Sequence, residues 1–137
     1  MEYPSREIIE NGNTLIAKFM GYEYYPHPNH NAGWRKEKGH IKLSGYYLAR
    51  TTKLLRYHQS WSWLIRVIEK ISITSELYIT LPDFKPSKNE VYTSWLKQRE
   101  TLSYETFEGV NAIISTWLAV IKAIEILNKR TEYGQIN

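Results

Sequence analysis

The sequence predicts a small α+β domain that covers residues 1–137, with an antiparallel sheet of about three to four strands and helices packed on it in a sandwich-like αβα order. Two observations predict this class. The chain is 42% apolar and 23% charged, which is enough apolar material for one core. The chain also contains both helical and strand periodicity, in the order helix, irregular segment, helix, three strands and helix, with no internal repeat and no domain boundary. We therefore expect one domain.

The first half of the chain predicts one helix and then a long irregular region. Residues 14–20 place their apolar side chains on one helical face, Asn13 or Thr14 suits the helix start, and Gly21 suits the left-handed position after its end. The tyrosines that follow Gly21 suit the start of a strand. Residues 26–45 are rich in Pro, Asn and Lys and predict a long loop, and a short strand is expected at 45–50.

The second half carries clearer patterns. Ser60 precedes a helix whose apolar residues fall at 61, 64, 65, 68 and 71. Residues 76–81 alternate, with Leu77, Ile79 and Leu81 on one face, and stop at Pro82. Three further elements complete the prediction: hairpin strands at 91–97 and 102–107, and a long apolar helix from about 109 to 128.

Composition excludes several classes of function. The chain has no cysteine, which excludes disulfides, thiolate zinc sites and thiol nucleophiles. The N-terminus lacks a basic segment leading into an apolar run, so no signal peptide is expected. The most apolar stretch, 112–127, is shorter than a membrane span and contains two charges. We expect a cytoplasmic protein without membrane contact.

Positive charge is concentrated in residues 33–58, where seven cations stand against Glu37 alone, a local charge of +6. Tyr46, Tyr47 and Tyr57 are interleaved with these cations, an arrangement that suits phosphate contacts and base stacking. The favoured interpretation of this stretch is a solvated basic loop whose rings pack inward. Nucleic-acid binding is the alternative, and its candidate contacts, which also suit a protein partner, are Trp34, Arg35, Lys36, Arg50, Lys53 and Arg56.

The large aromatic residues suggest a protein-binding or self-associating module. Trp34, Trp63, Tyr92 and Trp95 exceed what one small core needs, and exposed Trp and Tyr side chains are typical of interfaces. Trp63, Tyr92 and Trp95 are therefore candidate contacts with an unknown partner or with a second copy of the chain. We rank this interpretation first because it needs the fewest special assumptions.

Catalysis and metal binding have weaker signals. His27 and His30 have a His-x-x-His spacing that would need a carboxylate or His40 to complete a metal site. His58 stands two residues before Ser60, but a helix cap is the simpler role for that serine. Because no phosphate-binding or nucleophile motif is present, we expect no enzyme activity and no cofactor.

Two blocks of sequence resemble a group of uncharacterised phage and prophage proteins of gut bacteria. Residues 15–22, LIAKFMGY, are similar to that group's IAEFMG opening, and residues 55–64, LRYHQSWSWL, are similar to its L-x-Y-H-x-S-W-D-W-L block. The closing helix at 112–128 is similar to its last element. Lys18 and Ser62 stand where the group usually has acids. The resemblance implies the phage ABA sandwich fold, with helices on both faces of a small sheet, and a phage-related origin without an activity.

Overall fold

The computed structural model describes residues 2–26, 32–38, 41–84, 92–98 and 104–132. The described elements, in chain order, are α1 (Arg6–Phe19), β1 (Glu23–Tyr25), β2 (Gly33–Lys38), β3 (Ile41–Ala49), a 3₁₀ turn (Thr52–Leu54), α2 (Trp61–Thr74), β4 (Leu77–Thr80), β5 (Tyr92–Gln98), β6 (Tyr104–Gly109) and α3 (Ala112–Glu132). The predicted α+β class is confirmed. The described strands form two antiparallel sheets, β1–β2–β3 and β4–β5–β6, instead of one.

The chain divides into two compact units. The N-terminal unit is Ser5–Arg56, and the C-terminal unit is Tyr57–Asn137 together with Met1–Pro4. Each unit contains one three-stranded sheet, so each is described by itself. The single domain over residues 1–137 stays a prediction.

Helix α1 begins at Arg6, eight residues before the predicted start. The Ser5 hydroxyl accepts a hydrogen bond from the Ile8 N–H at 3.3 Å and acts as the N-cap. The expected cap at Asn13 or Thr14 is wrong, because Asn13 lies inside the helix with its side chain buried. At the other end Gly21 has φ +94°, which confirms the left-handed position expected after the helix.

The predicted loop over 26–45 is wrong for most of its length, because β2 and β3 pair antiparallel within it. Trp34 pairs with Ala49 and Arg35 with Tyr47, and the register shifts between Trp34 and Arg35 and again between Lys36 and Lys38. Strand pairing satisfies the backbone N–H and C=O groups even where the side chains are charged, so a polar sequence can form a strand. Residues 27–31 and 39–40 lie outside the described residues.

In the C-terminal unit, α2 begins after Ser60, whose hydroxyl accepts from the Trp63 N–H at 3.4 Å, as predicted. Leu64 and Ile71 are fully buried, but Ile65, which was predicted to face inward, is 37% exposed. The buried stripe of α2 is thus narrower than the run of apolar residues. The predicted hairpin is confirmed, because β5 and β6 pair antiparallel.

Helix α3 starts three residues later than predicted, at Ala112. Its first turn is capped by Asn111, whose Oδ1 accepts from the Ile114 N–H at 2.9 Å, while Gly109 is the last residue of β6. Trp117, Val120 and Ile124 are fully buried along the helix. None of the helices that the structure describes combines the length and the apolar character needed to cross a bilayer.

Both helices of the C-terminal unit cover the same face of its sheet. Helix α3 packs on β5 and β6, and α2 packs on β4 and on α3. The covered face carries Leu77, Ile79 and Leu96, all buried. Within this unit the described elements therefore form two layers, and the sandwich-like order with helices on both faces stays a prediction.

A cluster of three hydroxyls joins α3 to the central strand. The Ser94 Oγ lies 2.9 Å from the Ser115 Oγ and 3.0 Å from the Thr116 Oγ1, and all three side chains are fully buried. The hydroxyls of Ser115 and Thr116 also lie within hydrogen-bond distance of the Ala112 carbonyl oxygen, at 2.9 and 3.0 Å. Buried hydroxyls need such partners, so the cluster fixes the position of α3 over β5.

A substitution at Gly109 tests the close contact between β6 and the start of α3. A Cβ at this position would overlap the backbone nitrogen of Ser115, which cannot move without shifting the helix. We expect Gly109→Ala to lower the free energy of unfolding by about 1–3 kcal/mol, measured by urea denaturation.

Glu105→Ala is the matched control, because Glu105 is exposed on the same strand. It should change the free energy of unfolding by less than about 0.5 kcal/mol. Equal urea midpoints for Gly109→Ala and the wild-type chain would contradict the described contact.

Candidate functional site

The nine residues predicted as contacts fall into both units. Trp34, Arg35, Lys36, Arg50, Lys53 and Arg56 belong to the N-terminal unit, whereas Trp63, Tyr92 and Trp95 belong to the C-terminal unit. The first six and the last three are therefore candidates within their own units.

Trp34 is a buried residue of the N-terminal unit. It is only 2% exposed, and its ring meets the Tyr24 ring edge to face at a centroid distance of 5.7 Å. Its indole Nε1–H donates to the Thr52 Oγ1 at 3.3 Å. The indole thus ties β2 to the 3₁₀ turn, and its face is not available for stacking on a base or a partner.

Most of the predicted cations remain on the surface. Lys36 is exposed, and its ammonium group lies 5.6 Å from the centre of the Tyr22 ring in a cation–π contact, while Arg35 is half-buried. Arg50, Lys53 and Arg56 are exposed on the segment that contains the 3₁₀ turn. We call residues 50–56 the basic turn. The side chains of Tyr46 and Tyr47 lie outside what the structure describes.

A second candidate surface is the face of the β4–β5–β6 sheet that α2 and α3 do not cover. Strand alternation and the pairing register place eight side chains on this face, which we call the open face. Its members are Tyr78 and Thr80 on β4, Thr93, Trp95 and Lys97 on β5, and Tyr104, Thr106 and Glu108 on β6.

The open face has an ordered arrangement of rings, hydroxyls and charges. Lys97 stands between Tyr78 and Tyr104 in one cross-strand row. The next row runs from Thr80 through Trp95 to Thr106. Tyr78 is 37% and Tyr104 is 60% exposed, so large rings meet solvent here. Exposed rings and hydroxyls are groups that can make ring contacts and hydrogen bonds with a partner.

Only one of the three predicted partner contacts belongs to the open face. Trp95 lies at its centre and is half-buried. Tyr92 shares the opposite face with Ser94, and Trp63 packs edge to face against Tyr57 at 5.1 Å. Sequence reasoning missed Tyr104 as a contact. Strand alternation alone places Tyr78 and Leu77 on opposite faces of the sheet. The cross-strand neighbours of Tyr78 depend on the pairing register, which the sequence does not specify.

Among the histidine candidates, His58 lies in the described part of the chain. His58 is largely buried and meets the Trp117 ring edge to face at 6.4 Å, while the Ser60 hydroxyl caps α2. His27, His30 and His40 lie outside the described residues. In the part of the chain that the structure describes, no three His, Asp or Glu side chains are grouped as metal ligands.

Comparisons of the chain with protein-family models, with curated proteins and with solved structures find no match. The candidate surfaces are therefore judged on their geometry and chemistry alone.

Burial lowers the pKa of His58 from its ordinary value of 6.5, because desolvation disfavours the charged imidazole. The unfolded chain then binds a proton near pH 6.5 that the folded chain resists. Folding stability is therefore highest above this pH and falls as the pH drops below it. We expect His58 to lower the free energy of unfolding by at most about 1.4 kcal/mol between pH 7.5 and 5.5.

Urea denaturation at several pH values measures this loss, and His58→Gln is the control because it keeps a polar side chain that does not titrate. The variant should show a flatter dependence on pH over the same range. Identical pH dependence in the two proteins would contradict a lowered His58 pKa.

Proposed function

We propose that this chain is a phage- or prophage-type accessory protein that acts as a self-associating protein-binding module, with the open face as its contact surface. The observation that carries the proposal is the row in which Lys97 lies between Tyr78 and Tyr104 on the sheet face that α2 and α3 do not cover. Large exposed rings beside a central Trp are the residue types that contribute most to interface energies. The partner that we propose for the open face is a second copy of the chain.

The position of Trp95 supports contact between two copies. Trp95 lies on the central strand and in the middle row of the open face, with the edge strands β4 and β6 on either side. We consider two copies whose open faces pack against each other. A two-fold axis that lies midway between the two sheets, runs perpendicular to the strands and passes over the Trp95 row brings the two Trp95 rings together. Symmetric dimers use such self-complementary patches, with the aromatic anchor at the centre.

The charges of the open face are complementary under the same symmetry. Lys97 lies two residues from Trp95 in one direction along β5, and Glu108 lies in the row of Thr93, two residues away in the other direction. Within one chain, four residues along a strand separate these rows by about 13 Å. The two-fold axis exchanges the rows and brings Lys97 of each copy diagonally opposite Glu108 of the other. Two ion pairs then flank the aromatic centre.

The threonine hydroxyls of the open face suit the same role. Thr80, Thr93 and Thr106 occupy the positions of the open face between the rings and the charges. β-branched residues pack closely against a second sheet, as in a β-sandwich with sheets about 10 Å apart. Their hydroxyls also hydrogen-bond water, which keeps the face soluble when the partner is absent. The surface therefore suits reversible association.

The phage-type part of the proposal rests on the resemblance of residues 15–22 and 55–64 to phage and prophage proteins. It assigns a class of protein and no chemistry. The self-association part rests on the open face alone, so the two parts can be tested separately.

A charge exchange tests the two-fold arrangement. Lys97→Glu creates two like-charge contacts in the dimer, so we expect its dissociation constant to rise about tenfold or more. Glu108→Lys should have a similar effect. The double variant Lys97→Glu/Glu108→Lys restores opposite charges and should return the dissociation constant to near the wild-type value, measured by sedimentation equilibrium at low salt.

Lys129→Glu is the matched control, because it makes the same charge change at an exposed position of α3. It should leave the dissociation constant unchanged. A double variant that is weaker than both single variants would contradict the two-fold contact, and a wild-type chain that stays at 16.2 kDa at all concentrations would exclude self-association.

A further inference from the structure

The basic turn belongs to the N-terminal unit, whereas the open face belongs to the C-terminal unit. We propose that Arg50, Lys53 and Arg56 bind consecutive phosphates of a nucleic-acid duplex, without reading its bases. The ligand is recognised by backbone charge alone. This inference does not rest on the proposed self-association.

Two buried side chains hold the backbone that carries these cations. The Trp34 Nε1–H donates to the Thr52 Oγ1 at 3.3 Å, and the Asn13 Nδ2–H donates to the Leu55 carbonyl oxygen at 3.2 Å. Leu55 itself is fully buried. The turn is therefore attached to β2 on one side and to α1 on the other. A backbone that is already fixed loses less entropy when its side chains bind a ligand.

The backbone hydrogen bonds of the 3₁₀ turn also fix the conformation of this segment. The N–H groups of Leu54 and Leu55 donate to the carbonyl oxygens of Thr51 and Thr52, both at 3.1 Å. This segment carries Lys53 at its middle, and Arg50 and Arg56 flank it, so the three cations recur at intervals of three residues. All three side chains are exposed.

The charge of the basic turn is not neutralised by its neighbours in sequence. No Asp or Glu occurs between Glu37 and Glu69. Among the described residues, Arg50, Lys53 and Arg56 form no ion pair, whereas Arg6 pairs with Glu10 at 2.9 Å. Three exposed cations on a fixed turn attract a dense row of negative charge, which a nucleic-acid backbone provides.

The described rings favour a duplex over a single strand. Single-strand binding sites combine cations with exposed rings on which bases stack. In the described part of residues 33–58, Trp34 and Tyr57 are only 2% and 3% exposed, so neither offers a stacking face. The exposed apolar neighbour of the cations is Leu54, which has no ring to stack. Phosphate contacts without stacking are the mode of sequence-independent duplex binding.

Fluorescence anisotropy with a labelled 20-base-pair DNA duplex, titrated between 20 and 150 mM NaCl, tests the proposal. With three phosphate contacts, a plot of the logarithm of the binding constant against the logarithm of the salt concentration should have a slope of about −2.7 per chain. Lys53→Gln should reduce the magnitude of this slope by about one. The triple variant Arg50→Gln/Lys53→Gln/Arg56→Gln should abolish measurable binding.

The matched control is Lys18→Gln/Arg66→Gln/Lys129→Gln, which removes the same charge from exposed positions outside the stretch 33–58. It should keep most of the salt slope, and circular dichroism checks that both triple variants are folded. Equal loss of binding in the two triple variants would overturn the site, because net charge alone would then explain the binding.

Thr52→Val tests the role of the buried anchor without changing any charge. It removes the acceptor of the Trp34 Nε1–H, so the turn is less fixed and duplex affinity should fall by about two- to tenfold with an unchanged salt slope. Unchanged affinity would overturn the claim that the anchor orders the cations.

Two further measurements assign the ligand class. A single strand of the same length should bind at most as tightly as the duplex, and tenfold tighter single-strand binding would overturn the duplex assignment. Vesicles of phosphatidylcholine with phosphatidylserine present isolated anionic headgroups. Vesicle binding that depends on Arg50, Lys53 and Arg56, without duplex binding, would also overturn it.

Discussion

The contact between α3 and β5 determines which face of the C-terminal sheet is buried. The Ser94 hydroxyl lies within hydrogen-bond distance of two hydroxyls of α3, and Gly109 lets the start of the helix approach the backbone of β6. With α3 on this side, strand alternation sends Trp95 and Lys97 to the other side. The proposed contact surface is thus a direct consequence of where one helix packs.

In the N-terminal unit, Trp34 fixes the position of the basic turn. Its buried ring and its hydrogen bond to Thr52 connect the middle strand to the turn that carries the cations. The sequence of residues 33–58 favours cations in solvent with rings packed inward, and a mixed surface of cations and rings is the alternative. The structure separates the two kinds of residue, because Trp34 holds the backbone from inside while Arg50 and Lys53 point to solvent.

Regular periodicity made α2 and the β5–β6 hairpin predictable from the sequence. Helix α1 was harder, because its first turns contain Asn11, Gly12 and Asn13, which favour turns locally and are stabilised here by contacts such as the Asn13 bond to Leu55. Strand β2 was missed because its charged side chains lack an apolar alternation. Among the open-face residues Trp95 was predicted as a contact, but the row that joins Tyr78, Lys97 and Tyr104 follows from a register that only the folded sheet specifies.

The central claim is that two copies meet through the open face, and one label position tests it directly. Because the chain has no cysteine, Thr106→Cys accepts a single nitroxide on the edge strand of that face. Packed sheets lie about 10 Å apart, so dipolar electron resonance should report two labels within about 25 Å of each other. Labels without dipolar coupling, in a sample that light scattering shows to be dimeric, would mean that the copies associate through a different surface.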